Sequence, residues 1–413
     1  MGACGHAPRS DEGDWPPGTP IAHFAIELRG EPIGSETVRR APLASGGARV
    51  EHVQRYRVQV RGEAVAWSVA VRGEVDDAGR IRRVEVQRAG APRPFTPDPG
   101  ARVYWLDEAA PLLRRVSAGE PAEVQAFLPA LGQAATAQLA PDGPGRVAVD
   151  AGITHAVLVV DASGRVHGTR AGTVEAVEVA APAHPESPPD LLALLRIPVA
   201  PWPGARHAGQ ATWHVQGLPA ADLDFPPWQR ATGGEVVVRR PLPAEIPREP
   251  EPPGRSLAQW LGPEPGIAVG TPALREEAAA ALVGATGARA RIAALVHHVH
   301  QRIGTAVRPG LPDAERALRS GQGDCNEHAA ALVALARTAG IPARPVTGWV
   351  YLDEGIAPGL YPHAWAELWV GGALGWIPVD PVLDEVVADA GHLRVREGVA
   401  GILRPTVTLG EAR

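Results

Sequence analysis

The chain has 413 residues, 45% of them hydrophobic, with 46 acidic and 40 basic side chains and a net charge of -6. That length exceeds one ordinary core and predicts two or three domains, while the negative balance excludes a broad nucleic-acid surface, so no nucleic acid is expected as a partner. Every basic residue is arginine, which leaves no lysine amine to accept an acyl group or form a Schiff base, and two cysteines cannot build a disulfide framework if Cys325 stays a free thiol.

Residues 1–18 read as a flexible tether. The stretch "MGACGHAPRSDEGDWPPGTP" has two readings: a plain N-terminal tail, or the end of a lipoprotein signal whose apolar part was lost, with small residues before Cys4 and a polar, proline-rich spacer after it. The second reading places the protein in the bacterial cell envelope, anchored to the membrane through a lipidated Cys4; the first leaves it cytoplasmic. No run of about 18 apolar residues occurs, so no membrane-spanning helix is expected.

Residues 22–30, 49–60, 64–73 and 81–88 alternate apolar and polar side chains between Gly- and Asp-rich turns, the pattern of antiparallel strands. More strands follow at 146–180, with a turn at Asp161 to Gly164, and in "QATWHVQGL" and "GEVVVRRPL". These define a β-rich region at 19–245, of one or two lobes, closed by a proline-rich linker at 246–267.

Beyond the linker the period changes. Ile292, Val296, Val299 and Ile303 form one stripe of an amphipathic helix, and helical patterning runs to residue 339. "ARPVTGWVYL", "HAWAELWV" and "GWIPVD" then return to strand periodicity, giving an α+β unit at 268–400 and a C-terminal tail at 401–413.

The chemistry concentrates in "GQGDCNEHAAALVALARTAGIPARPV". Asp324 followed by Glu327 is a helix cap with its reciprocal partner, and Gly340-Ile341-Pro342 stops the helix, so Cys325 becomes the first helical residue. There the helix dipole and free N–H groups favour a thiolate and can face an oxyanion. A cysteine nucleophile needs a base and a group that orients the base. His363 shares a strand face with Trp365, Glu367 and Trp369, and Asp380 shares one with Trp376 and Pro378. A two-residue turn at Gly371-Gly372 would set His363 directly opposite Asp380.

With those residues in view, "GDCNEHAAALVALARTAGIPARPVTGWVY" followed by "HAWAELWVGGALGWIPVDP" resembles the transglutaminase-like superfamily of papain-fold thiol enzymes, over about residues 268–390. The resemblance implies Cys325 as nucleophile, His363 as base and Asp380 as its orienting partner. It also implies acyl transfer on a peptide or protein substrate, with hydrolysis of the peptidase or amidase kind preferred to crosslinking. No metal and no cofactor are expected, and the oligomeric state stays open. The rival reading is a non-catalytic envelope binding or assembly protein that keeps the fold.

Other residues invite function less strongly. His297, His298 and His300 lie off the Ile292 stripe and read as a solvated face rather than a metal site. His328, one helical turn from Cys325, lacks a carboxylate to orient it and reads as packing. Trp349, Tyr351, Trp365 and Trp369 read as core aromatics before groove linings, and Arg344 as a brace of either the strand or the cleft.

Overall fold

The computed structural model describes residues 15–16, 19, 21–88, 92–129, 132–151, 155–181, 187–247, 254–307, 312–372, 374–396 and 405–413. Cys4 and the expected tether, apart from Trp15 and Pro16, lie outside the described residues. The chain divides into two compact units, Met1–Leu194 and Leu195–Arg413.

The first unit is built on a thirteen-stranded sheet. Strands Ile21–Leu28, Glu31–Pro42, Ala48–Val60, Glu63–Val75 and Ile81–Gln87 follow one another as antiparallel neighbours. Two of the hairpins turn on Arg-Gly pairs, Arg29-Gly30 and Arg61-Gly62, with φ of 56° and 79° and of 51° and 81°. Left-handed residues at both turn positions match the twist of the flanking strands. Val174–Val179 pairs with the other edge of Ile21–Leu28, and the sheet continues antiparallel through Val166–Ala171, His155–Val160, Arg146–Asp150 and Gln133–Pro141 to Ala122–Leu128. A helix at Ala110–Ser117 buries Leu112, Leu113 and Val116 against Leu139, Val147 and Leu158. Within the strand Glu31–Pro42, Glu36 bonds at 2.8 Å to buried His52.

The boundary between units falls ahead of the expected one at 245. Gln210–Gln216 pairs with Glu235–Arg239 on one side and with Thr406–Ala412 on the other, and Trp213 and Val236 share a core with Trp349 and Leu393. The segment from 195 to 245 therefore folds with the C-terminal unit, and 401–413 is no free tail: its described part is a strand. Proline-rich composition marks where the chain is extended, but it is blind to pairing between strands nearly two hundred residues apart. The linker at 246–267 is likewise tied down at its ends, with Ile246 and Ile267 buried in the core of the second unit, while 248–253 lies outside the described residues.

The second unit is α+β. Helices α1 (Pro272–Ala281), α2 (Gly287–Arg302), α3 (Ala314–Ser320) and α4 (Cys325–Thr338) precede strands β1 (Ala343–Leu352), β2 (Gly359–Gly371), β3 (Gly375–Val379) and β4 (His392–Val395). Strand β2 pairs antiparallel with β1 and β3, and β4 pairs antiparallel with the outer side of β1. Helix α4 is buried without interruption from Glu327 to Arg337. Its alanines let it lie close to the sheet, where Leu332, Leu335 and Ala336 share a core with Ala366, Leu368, Ile377 and Val379. The predicted stripe Ile292, Val296, Val299 and Ile303 is buried in the same core. Among the described residues no helix is long and apolar enough to cross a membrane.

Candidate active site

Cys325 opens α4, half-buried and a free thiol. The Asp324 carboxylate accepts from the Asn326 N–H at 2.8 Å, and the Asp324 N–H donates to Glu327 Oε2 at 3.1 Å, completing the expected capping box. Gly323 is required just before the cap: a Cβ there would come 2.5 Å from Cβ of Glu327. Local sequence thus fixes the cysteine at the positive end of a helix anchored in the core.

His363 and Asp380 are brought together, although not by the expected register. Strands β2 and β3 pair Glu367 with Pro378 and Leu368 with Ile377, two residues out from the two-residue turn. Gly371, Gly372 and Gly375, with φ of 80°, 58° and 59°, open a longer connection, and a bulge falls between Trp369 and Gly371. An even shift leaves each side chain on its predicted face. Asp380 lies just past the end of β3, and its Oδ2 accepts from His363 Nε2 at 2.7 Å. Since Nε2 is taken, Nδ1 is the nitrogen of His363 left for the thiol, and Cys325 stands within hydrogen-bonding reach of the ring.

The electrostatics follow from this contact. Burial works against a charged His363, but the Asp380 carboxylate and the neighbouring thiol outweigh it and push its pKa up to about 9. Asp380 is fully buried, which would raise its pKa, yet His363 and His392 hold it far below the ordinary carboxylate range. Its other oxygen accepts from the N–H groups of Val382 at 2.7 Å and Leu383 at 3.3 Å.

The order of elements, the cysteine at a helix start and the paired histidine and aspartate can now be set beside known proteins. Residues 276–381 match the model of the transglutaminase-like superfamily. This segment is a transglutaminase-like domain. Among solved structures, a candidate cysteine protease from Cytophaga hutchinsonii aligns at 15% identity and a TM-score of 0.33, covering 50% of this chain and 82% of its own. The periplasmic domain of TgpA from Pseudomonas aeruginosa, bound to ethylmercury, aligns at 18% identity and a TM-score of 0.26, covering 44% of this chain and 92% of its own. No curated protein matches the chain.

Within the transglutaminase-like domain the remaining motifs have structural partners. His328 is buried, with Nδ1 at 2.7 Å from the Asp324 carbonyl and Nε2 at 2.9 Å from that of Ile303, so both ring nitrogens are engaged by backbone. His297 meets Asp384, His298 lies 3.0 Å from Glu277 and His300 3.2 Å from the Pro381 carbonyl, three separate destinations rather than one ligand set. Arg344 braces the strand pair: Nε donates to Glu367 Oε2 at 2.7 Å, and its guanidinium lies 4.3 Å from the ring centre of Trp376. Trp349, Tyr351 and Trp365 are core residues at 1% exposure.

The sequence reading missed His392. It starts β4, is buried, and places Nε2 at 3.0 Å from Asp380 Oδ2 and Nδ1 at 3.0 Å from Asp389 Oδ1. Its one signal was the alternation in "HLRV", which puts a histidine and an arginine on the face opposite Leu393 and Val395. His392 brings ligand atoms close to His363 and Asp380 on one side and to Glu385 and Asp389 on the other. A metal there would have to displace the protons that these histidine nitrogens donate to carboxylates, so the set fits a hydrogen-bonded relay better than a metal centre.

Proposed function

We propose that the protein is a thiol-dependent acyl-transfer enzyme acting on peptide or amide bonds, with Cys325 as nucleophile, His363 as base and acid, and Asp380 as orienting group. The observation that carries this is His363 itself, bonded through Nε2 to a buried carboxylate and within reach of a thiol at a helix N-terminus. In the first half-reaction the Cys325 thiolate attacks the amide carbonyl carbon; a C–S bond forms and the carbonyl π pair moves to oxygen, stabilised by N–H groups at the start of α4. Collapse of this intermediate breaks the C–N bond, and His363 Nδ1–H supplies the proton that lets the amine leave. In the second, His363 takes a proton from water, the hydroxide attacks the thioester, and the acid departs as the thiol is restored. Hydrolysis is the preferred outcome, since water needs no second binding site, and a protein or peptide is the substrate class.

The test is the pH dependence of iodoacetamide alkylation at Cys325, resolved by peptide mass, in wild type and His363→Ala. Faster alkylation of Cys325 at pH 6.5 in wild type than in His363→Ala is the expected result. Alkylation that tracks an ordinary thiol in both proteins overturns the reading. Incubation of a peptide substrate with and without an added amine then separates hydrolysis from crosslinking: a stable amine adduct with negligible free acid would reverse the preference for water.

A further inference from the structure

Behind Asp380 lies a second set of buried ionisable groups that the mechanism above does not use. His392 Nε2 reaches the same carboxylate oxygen, Oδ2, that receives His363 Nε2, at 3.0 Å and 2.7 Å respectively. Its Nδ1 reaches Asp389 Oδ1 at 3.0 Å, an oxygen that also accepts from the Gly391 N–H at 2.8 Å. Arg206 closes the far end, with Nη1 at 3.1 Å from Asp389 Oδ2 and 3.5 Å from Glu385 Oε1, and Nη2 donating to the Tyr351 carbonyl at 3.2 Å. Asp380, Asp389 and His392 are each 3% exposed or less.

An imidazole with a carboxylate oxygen against each nitrogen must donate from both, because a bare ring nitrogen facing a carboxylate would set lone pair against lone pair. Both ring nitrogens of His392 are placed this way. Burial disfavours its charge, but the bonds to Asp380 and Asp389 outweigh that cost and raise its pKa to about 10. Burial opposes charge on Asp389 too, but His392, Arg206 and the Gly391 N–H hold it in its ionised form. The other ionisable groups around the ring are accounted for: Glu385 Oε2 lies 3.9 Å from Nδ1, the His363 ring centre is 6.1 Å away, and Glu367, in the same small space, is paired with Arg344 and Arg394. The edge of Trp365 packs the ring at 5.2 Å between centroids.

We propose that His392 is a charge-balancing positioning residue: as an imidazolium fixed by Asp389, it shares Asp380 Oδ2 with His363, holds that oxygen in line, and withdraws part of the carboxylate's charge from the catalytic histidine. Its effect on activity rests on the proposed function, whereas its protonation and its influence on His363 do not. With the Asp380 charge undivided, His363 would hold its proton more tightly and serve less well as a base near neutral pH. The divided charge brings the histidine back toward its working range, in the direction general acid–base catalysis requires.

The experiment is a titration of the full chain labelled with nitrogen-15 in histidine, with His363 and His392 signals assigned by their loss in His363→Ala and His392→Gln. In wild type, both ring nitrogens of His392 are expected to carry protons at pH 8; a neutral His392 there overturns the proposal without any variant. His392→Gln keeps a donor toward Asp380 but removes the charge, and it should move the His363 titration upward by about one pKa unit. Asp389→Asn, which leaves the His392 ring in place, should move it in the same direction. A His363 titration that is unchanged or lower in a folded variant overturns the proposal, because a purely structural role would change the rate and leave the titration where it was. Alkylation of wild-type Cys325 is run beside it: an ordinary thiol together with a doubly protonated His392 would sink the acyl-transfer reading and leave this one standing.

Discussion

His363 and Asp380 meet at 2.7 Å across strands that pair two residues away from the register a Gly-Gly turn would impose. The contact survives because the displacement is even, so both side chains keep the face on which the sequence placed them. Asp380 lies beyond Val379, the last residue of β3, where its backbone pairs with Glu385 instead of continuing the ladder.

Replacing Asp380 by Asn tests what that contact contributes. The amide keeps the shape but loses the charge that outweighs the burial of His363, so the His363 pKa should fall from about 9 and the thiolate–imidazolium pair should be lost at neutral pH. A comparable substitution in a Ser-His-Asp site lowers kcat by about 10⁴, and peptide turnover should fall here by roughly 10³ or more. Cys325 alkylation at pH 6.5 is the direct measurement; a rate equal to wild type would mean that Asp380 does not support His363.

The pH dependence of stability has a defined sign. His363 binds its proton more tightly in the folded chain than its ordinary value of 6.5, so the stabilisation is complete below pH 6.5 and is lost as pH rises toward about 9. The difference in Tm between wild type and His363→Gln should therefore shrink between pH 6.5 and 10. A difference that stays constant across that range would mean His363 is not charged in the folded state. Comparing the two proteins is necessary because Glu327 acts in the same direction: burial and the Asp324 charge raise its pKa to about 8, so its contribution also declines between 4.5 and 8.

What the sequence made legible was local. The capping box at Asp324 and Glu327, the stripe from Ile292 to Ile303 and the faces of β2 and β3 depend on residues within a few positions of one another, and each appears in the structure. What stayed hidden was set by distant pairing. Strand Thr406–Ala412 joins Gln210–Gln216, and His392 joins Asp380 only because β4 runs beside β1. Neither has a local signal stronger than ordinary alternation. The register of β3 failed for a different reason: the glycines that suggest a tight turn are equally able to build a longer one with a bulge.

Asp324 anchors the helix that carries the thiol, and two substitutions separate its hydrogen bond from its charge. Asp324→Ala removes the cap and should cost about 1 kcal/mol of stability. Asp324→Asn keeps the oxygen that accepts from the Asn326 N–H at 2.8 Å and removes the repulsion that raises the Glu327 pKa. Its stability at pH 7 should lie close to wild type. Chemical denaturation of the three proteins checks the order; an Asn variant as unstable as the Ala variant would show that the charge, and not the hydrogen bond, holds the helix start.

Gly348 links the strand pairing to the site. It lies on β1 between His363 of β2 and Arg394 of β4, and a Cβ there would fall 2.2 Å from the Leu393 carbonyl oxygen and 2.7 Å from Cη2 of Trp365. Neither neighbour can yield cheaply, because one is backbone in a paired strand and the other is a buried indole packed against His392 at 5.2 Å and His363 at 6.1 Å. Gly348→Ala should therefore cost about 1 to 3 kcal/mol, as overpacking of a close-packed interior does, and should force β4 away from β1. Since β4 carries His392, the displacement reaches Asp380 without any change to Cys325, His363 or Asp380 themselves. The expected result is a folded protein with a lowered Tm and a changed rate of Cys325 alkylation at pH 6.5. A variant that loses stability but alkylates at the wild-type rate would show that the position of β4 does not matter to the thiol.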